Sequence, residues 1–194
     1  MKTSIKTLLA LAITTIVLTG STLSTFAADD QKQTVLTEVK KVRTINVSGN
    51  VQLLIVQSNT ESVKVYGNYY ANNALVQKKD GELRISSYSK ETLTVVVYVN
   101  NLTSISASDR ATVKTLGKMT ALSLAVNLSN NATAELNTNC VNLTSSISDT
   151  SSLVLTGNTE TYTSSVGNFA NVNMSGFTAS TSDIRSKAAI MAKL

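Results

Sequence analysis

The sequence predicts an all-β protein built as a parallel β-helix, a solenoid with about twenty residues per coil. Ser, Thr and Asn supply 25, 27 and 18 of the 194 residues, and the chain contains no proline, which cannot donate a ladder hydrogen bond. A short apolar-polar pattern recurs at nearly constant spacing, and the stretches between its copies alternate apolar and polar residues as half-buried strands do. A β-sandwich also contains short strands joined by turns, but it does not by itself predict the repeat.

The chain begins with a predicted secretory signal peptide, residues 1–27. Lys2 and Lys6 precede an apolar run over residues 8–18, and small residues follow as far as Ala28. The run is shorter than the roughly 20 apolar residues that a membrane-spanning helix needs. We therefore expect the signal peptide to direct export to the periplasm, cell surface or medium and to be cleaved. The mature chain would consist of a flexible lead-in or cap over 28–41 and one domain over 42–194, without a transmembrane segment.

Residues 63–83 are expected to form an irregular first coil. Val63–Tyr66 and Glu82–Ile85 alternate as strands do, and Lys79-Asp80-Gly81 between them is typical of a turn. At the other end, Ser182–Leu194 could form one short capping helix or equally a last strand and tail. In the helix, Ile184, Ala188, Met191 and Leu194 would lie on one side.

The repeat is clearest in the second half of the chain. Copies start at Ala107, Leu128, Ile147 and Val166, with separations of 21, 19 and 19 residues, and a related copy starts at Val47. Asn and Asp tolerate left-handed turn conformations and cap nearby backbone groups. We therefore predict a structural turn ladder made by one residue from each copy: Asn50, Asp109, Asn130, Asp149 and Asn168.

A cation between Asp109 and Asp149 is the functional alternative for this ladder. The two carboxylates would lie two coils apart, about 9–10 Å, with Asn130 between them. Calcium takes several oxygen ligands at about 2.3–2.6 Å, so we expect no metal site and no cofactor.

The composition excludes several classes of enzyme. The chain has no His and one Cys, which removes His-based acid–base catalysis and Ser-His or Cys-His nucleophiles. Cys140 is expected to be a small buried side chain, with an intermolecular disulfide as the alternative. We predict no catalytic residues, although paired carboxylates at Asp109 and Asp149 leave a polysaccharide-cleaving enzyme as a minor alternative.

The charge pattern does not favour nucleic-acid binding. The net charge of +5 includes both lysines of the predicted signal peptide, whose removal leaves 15 basic and 12 acidic residues. These basic residues are scattered and form no concentrated face. Among the tyrosines, which strands use for packing, we single out Tyr66, Tyr69 and Tyr70 as candidates for contact with a sugar or protein partner.

Three stretches resemble the head GIN-domain family of auto-transporter adhesins, which is common in Bacteroidetes. They are Arg43–Leu53, Asp80–Ile85 and Val97–Ile105, and the likeness extends over roughly residues 41 to 180. The resemblance implies a right-handed parallel β-helix exported by a Gram-negative cell, with no catalytic residues to carry over. Several glycines usual in that family's turns are Asp or Asn here.

The sequence therefore predicts an exported, non-enzymatic, adhesin-like interaction protein. Its partner would be a glycan, a cell-envelope protein or another copy of the chain. A structural envelope component without a specific ligand is the alternative.

Overall fold

The computed structural model describes residues 33–36, 39, 41–67 and 74–187, and the predicted signal peptide lies outside them. The described residues form thirteen β-strands and no helix. The prediction of an all-β chain is therefore confirmed for this part of the protein. The strands are β1 Gln33–Leu36, β2 Thr44–Gly49, β3 Val51–Gln57, β4 Ser62–Tyr66, β5 Leu75–Lys79, β6 Glu82–Ser87, β7 Leu93–Val99, β8 Ser104–Ala107, β9 Thr112–Thr115, β10 Met119–Leu128, β11 Thr133–Ile147, β12 Ser152–Gly167 and β13 Asn171–Lys187.

Most of the strands pair in parallel along two rows. In one row β6, β2, β8 and β10 are successive neighbours, and in the other β7, β3 and β9 are. The long strand β11 joins the rows, because its start pairs with β9 and its later part with β10. Strands β12 and β13 then stack on β11 in turn.

The register of these pairs follows the sequence repeat. Thr112 lies beside Thr133, Thr133 beside Ser152, and Ser152 beside Asn171. Equivalent positions of successive repeat copies are therefore direct neighbours across the ladder. A one-residue irregularity between Val154 and Thr156 interrupts the register of β12 with β13.

The sheet is nevertheless mixed, which an all-parallel solenoid does not predict. Strand β4 pairs antiparallel with β7, and β1 pairs antiparallel with β4. Strands β5 and β6 form a hairpin whose turn residues, Asp80 and Gly81, have φ angles of 50° and 82°. Such a two-residue turn with positive φ reverses the chain too sharply for a coil crossover. The strands predicted over 63–66 and 82–85, and the turn between them, are confirmed.

Part of the predicted lead-in is ordered against the sheet. Gln33–Leu36 forms β1, which lies along the outer edge of β4. Edge strands expose unpaired backbone groups, so β1 shields β4 from pairing with another chain.

Of the two alternatives for 182–194, a helix or a last strand, the described part adopts the strand. Residues 182–187 continue β13, whose parallel register with β12 runs as far as the Gly167–Lys187 pair. A continuous row of backbone hydrogen bonds outweighs the weak helical preference of a segment that begins Ser-Asp. Residues 188–194, with Ala188, Met191 and Leu194 of the predicted apolar side, lie outside the described residues.

The core is made by the inward-facing residues of the alternating strands. In the first row Ile45 lies between Leu83 and Ile105, and all three are fully buried. In the second row Leu53 lies between Val95 and Val113. Burying such a side chain contributes about 1.5–3 kcal/mol, and the stacking holds the outward-facing residues of the same strands at fixed positions.

Candidate functional site

The repeat copies place four similar turns one above another at a corner of the fold. In each, the backbone N–H of the fourth residue donates to the carbonyl of the first, at 3.1–3.2 Å. The donors are Ala111, Ala132, Ser151 and Ala170. Neighbouring turns are also bonded to each other, since Asn131 N–H donates to the Asp109 carbonyl and Thr150 N–H to the Asn130 carbonyl, both at 2.9 Å.

Three of the five predicted ladder residues adopt the left-handed conformation. The φ angles of Asp109, Asn130 and Asp149 are 62°, 58° and 56°. The Asn130 amide donates to Asp109 Oδ1 at 2.9 Å, and the Asn130 backbone N–H donates to Asp149 Oδ2 at 3.0 Å. These side chains therefore connect three successive turns.

The other two predicted members, Asn50 and Asn168, are placed differently. In the first copy of the repeat the positive φ, 81°, belongs to Gly49, which aligns with Asp109, while Asn50 is one residue further on. The Asn50 amide donates to the carbonyls of Ser89 and Lys90 and so ties β2 to the connection before β7. Asn168 follows Gly167, whose carbonyl closes the last turn.

The electrostatics of the ladder favour a structural role. The Asn130 backbone N–H, and then the Ser148 hydroxyl, hold the pKa of the Asp149 carboxyl below its usual value of 3.8. The carboxylate is thus ionised at neutral pH, and its Oδ2 accepts hydrogen bonds from two donors of the chain itself. Within the described residues no group of three or more Cys, Asp or Glu side chains is arranged to hold a metal ion.

A row of uncharged polar side chains crosses the outer surface next to this corner. Its members are brought side by side by the parallel register of β2, β8, β10, β11 and β12. We call this row the polar face; it consists of Asn46, Ser106, Asn127, Ser146 and Ser165. The first four line a shallow groove of about 380 Å³, and the Asn127 amide donates to Ser106 Oγ at 3.4 Å.

An arginine lies at each end of the polar face. Arg84 is the neighbour of Asn46, and Arg185 is the neighbour of Ser165. Each guanidinium is paired with an acid on its own strand, Glu82 at 2.9 Å and Asp183 at 2.8 Å. The face is therefore a neutral, hydrogen-bonding strip with internally balanced charge at both ends.

Only one of the three tyrosine candidates lies in the described part of the chain. Tyr66 is half-buried on β4, while Tyr69 and Tyr70 fall outside the described residues. Tyr88, which the sequence analysis did not single out, has 71% of its surface exposed. The Tyr98 ring lies under the Lys64 ammonium, 5.3 Å from its centroid, and so contributes to packing between β7 and β4.

The prediction that Cys140 is buried is confirmed. Its side chain is 5% exposed, and the thiol donates to the Thr159 hydroxyl at 3.7 Å. Burial at this depth disfavours an intermolecular disulfide without local opening of the sheet.

The sequence analysis missed the polar face. Its members are 60, 21, 19 and 19 residues apart, and each stands three residues before the Asx position of its copy, or before Gly49 in the first copy. Aligning the strand before each turn, rather than the turn alone, would have revealed the row.

The architecture defines a class: an all-β chain whose stacked strands present a long polar outer surface. Within that class, the chain belongs to the family described as "Putative auto-transporter adhesin, head GIN domain", whose sequence pattern matches residues 42–193. No curated protein shows significant similarity to the chain.

Three solved structures share the fold at low sequence identity. A putative adhesin from Bacteroides fragilis matches with a TM-score of 0.70 and 15% identity, covering 82% of this chain and 77% of that one. A putative adhesin from Parabacteroides distasonis matches with a TM-score of 0.60 and 18% identity, covering 81% of this chain and 79% of that one. A putative lipid binding protein from the same species matches with a TM-score of 0.65 and 10% identity, covering 82% of this chain and 79% of that one.

The described part of the chain contains no helix that is both long and apolar enough to span a membrane.

Proposed function

We propose that this chain is an exported, non-enzymatic interaction protein that binds a partner through the polar face. The predicted signal peptide supports export, to the periplasm, the cell surface or the medium, and membership of an adhesin family favours the surface among these. The polar face is the observation that carries the proposal. Its side chains are hydroxyls and amides held on a rigid sheet.

A glycan is the partner that this chemistry favours. Neighbouring members of the polar face are about 4.8 Å apart, the spacing of strands in a sheet, so they present donors and acceptors at regular intervals. Serine hydroxyls and asparagine amides both donate and accept hydrogen bonds, as the hydroxyl groups of a sugar chain require. A cell-envelope protein or a second copy of this chain is the alternative occupant.

A non-enzymatic role is supported by the state of the acidic residues. A general acid for glycoside cleavage needs a raised pKa, whereas the pKa of Asp149 is lowered by the Asn130 N–H. Asp109 Oδ1 accepts from the Asn130 amide, which also lies between the two carboxylates. Both carboxylates therefore accept hydrogen bonds that connect the turns.

We also propose that the stacked repeats are coils of a right-handed parallel β-helix. The parallel pairing at offsets of one repeat copy, from β8 to β13, supports this interpretation. Strands of a β-sandwich pair antiparallel instead.

The test is a glycan panel probed with the full chain and with the Asn127→Ala, Ser146→Ala double variant. The wild type should bind at least one neutral glycan, and the double variant should bind it about tenfold more weakly, because two neutral hydrogen bonds are removed. Asn139→Ala, an exposed asparagine of β11 away from the polar face, is the matched control and should bind like the wild type. A wild type that binds no glycan would favour the structural envelope component.

A further inference from the structure

A second cavity lies away from the polar face, and nothing above assigns it a role. It has a volume of about 460 Å³ and is formed where three segments meet. These are the entry to β2, at residues 41–43, the β3–β4 connection, at 59–61, and the start of the β7–β8 connection, at 100–101. The volume is within the range of about 300–1,000 Å³ that is typical of small-molecule sites.

The walls of this cavity are fixed by hydrogen bonds between the three segments. The Glu61 carboxylate accepts the backbone N–H of Lys41 through Oε2 and that of Asn100 through Oε1, the latter at 3.4 Å. The carbonyl of Arg43 accepts both the N–H and the hydroxyl of Thr103, at 2.8 and 3.0 Å. Val42, between the two basic residues, is 1% exposed and anchors the segment to the core.

Lys41 is held in a conformation that lysine rarely adopts. Its φ angle is 59°, in the left-handed region, where Gly or Asn would be favoured. The backbone conformation therefore gives no reason for a lysine at this position. Residues held in such conformations by their surroundings are concentrated at functional sites.

The charges of the cavity are unbalanced. Elsewhere in the described chain Arg84, Lys114 and Arg185 each form an ion pair, whereas the remaining basic side chains, Lys118 among them, form none. Among the described residues, Lys41 and Arg43 have none, although both line the cavity. Glu61, the one acid among the described residues of its wall, directs both carboxylate oxygens to backbone N–H groups, so the described lining carries an excess of one positive charge.

We propose that this cavity binds an acidic saccharide, a sugar residue that bears a carboxylate. Lys41 and Arg43 recognise the carboxylate, because charge-assisted hydrogen bonds to a planar acid group are the strongest available to them. The amides of Asn59 and Asn101 and the hydroxyl of Thr60 are available for the ring hydroxyls. The inference goes beyond the proposed function, since it concerns another surface and another ligand charge.

Isothermal titration of the full chain with digalacturonic acid tests the proposal. The matched ligand is the dimethyl ester of the same disaccharide, which keeps the hydroxyl groups and removes the charge. The acid should bind and the ester should bind at least about tenfold more weakly, as expected for loss of a charged hydrogen-bond partner. Acetate at the same concentration should bind far more weakly than the disaccharide.

Two variants remove one cation each. Arg43→Gln and Lys41→Asn should each weaken digalacturonate binding about tenfold, whereas Lys118→Gln, an exposed lysine outside the cavity, should not. Asn suits the left-handed conformation better than Lys, so Lys41→Asn should melt at the same temperature as the wild type or higher. Lost binding in that variant therefore cannot be attributed to unfolding.

Any of three results would overturn the proposal. These are no binding of digalacturonate to the wild type, equal binding of the acid and the ester, and an affinity of Arg43→Gln and Lys41→Asn for digalacturonate equal to that of the control Lys118→Gln. Acetate that binds as tightly as the disaccharide would overturn the saccharide assignment and leave a general carboxylate site. The polar-face variant Asn127→Ala, Ser146→Ala should keep its digalacturonate affinity. A negative result for the acidic-saccharide site can therefore be told apart from a negative result for glycan binding by the polar face.

Discussion

The two halves of the described chain use the same alternation to build different surfaces. From β2 to β9 the strands are 4 to 7 residues long, and from β10 to β13 they are 10 to 17. Short strands end close together, so their connections meet and enclose the cavity beside Lys41. The long strands β10, β11 and β12 continue the polar face that begins on β2 and β8.

The interiors of the halves also differ. Ile45 and Leu53 belong to an apolar cluster in the first half, where Ser87 and Thr115 are the buried polar residues among those described. In the second half, Ser145, Tyr162 and Ser164 are fully or nearly buried, and Ser145 Oγ shares hydrogen bonds with Tyr162 OH at 2.9 Å and Ser164 Oγ at 2.7 Å. A repeat that stacks like residues on one another can satisfy buried hydroxyls within the stack, which a single coil could not do.

Backbone contact between long strands should produce the largest effect. A Cβ at Gly157 of β12 would lie 2.1 Å from the Thr138 carbonyl oxygen, and its φ is 98°. We expect Gly157→Ala to lower the free energy of unfolding by about 4 kcal/mol, through collision and backbone strain together. Urea unfolding of the variant and the wild type measures this difference in the free energy of unfolding.

Gly117 is the control for that substitution, because its φ is 95° and a Cβ there would contact nothing. Gly117→Ala should lower the free energy of unfolding by only about 1–2 kcal/mol, because backbone strain acts there without a collision. Equal effects at the two positions would show that the long strands are less closely stacked than described.

The apolar core of the first half should give the next largest effect. Leu53→Ala should cost about 3 kcal/mol, because the side chain is fully buried between two strands. Met174, on β13, is half-buried, and among the described strands only β12 pairs with β13. Met174→Ala should therefore cost about 1 kcal/mol. If thermal melts gave both variants the same loss, β13 would be covered by a further partner.

The buried hydroxyl cluster tests the second half's interior. Ser145→Ala should cost about 1–3 kcal/mol, because it leaves the Tyr162 and Ser164 hydroxyls without that partner inside the fold. Tyr162→Phe should cost less, about 1 kcal/mol, since Ser145 keeps its bond to Ser164. Chemical unfolding of both variants measures the difference, and the reverse order would mean that the tyrosine hydroxyl organises the cluster.

The turn ladder should give the smallest effect, and a pH-dependent one. The folded-state pKa of Asp149 is lowered, so its stabilising contribution is fully present above 3.8 and is lost as the pH falls through the lower folded value. Asp149→Asn should therefore melt slightly below the wild type at pH 7 and equal to it at the acid end of the titration. Asp183→Asn, an acid outside the ladder, is the control. A melting difference that grew on acidification would contradict this assignment.

Sequence reasoning succeeded where one strand or one turn determines the structure. The alternation in Val63–Tyr66 and the turn at Asp80-Gly81 are local features, and the repeat spacing reports the register of neighbouring copies. It failed where separate segments decide together. Whether the chain after Ser182 forms a helix or a strand is decided by its pairing with β12, and the cavity depends on bringing Lys41, Glu61 and Asn100 to one place.

Proteinase K treatment of intact cells tests whether this chain meets its partner outside the cell. The chain is followed by antibody, with lysed cells to show that it can be digested and a periplasmic protein to show that the outer membrane is intact. We expect degradation in intact cells while the periplasmic protein survives. Protection until lysis would place the chain inside the envelope and contradict the adhesin-like role.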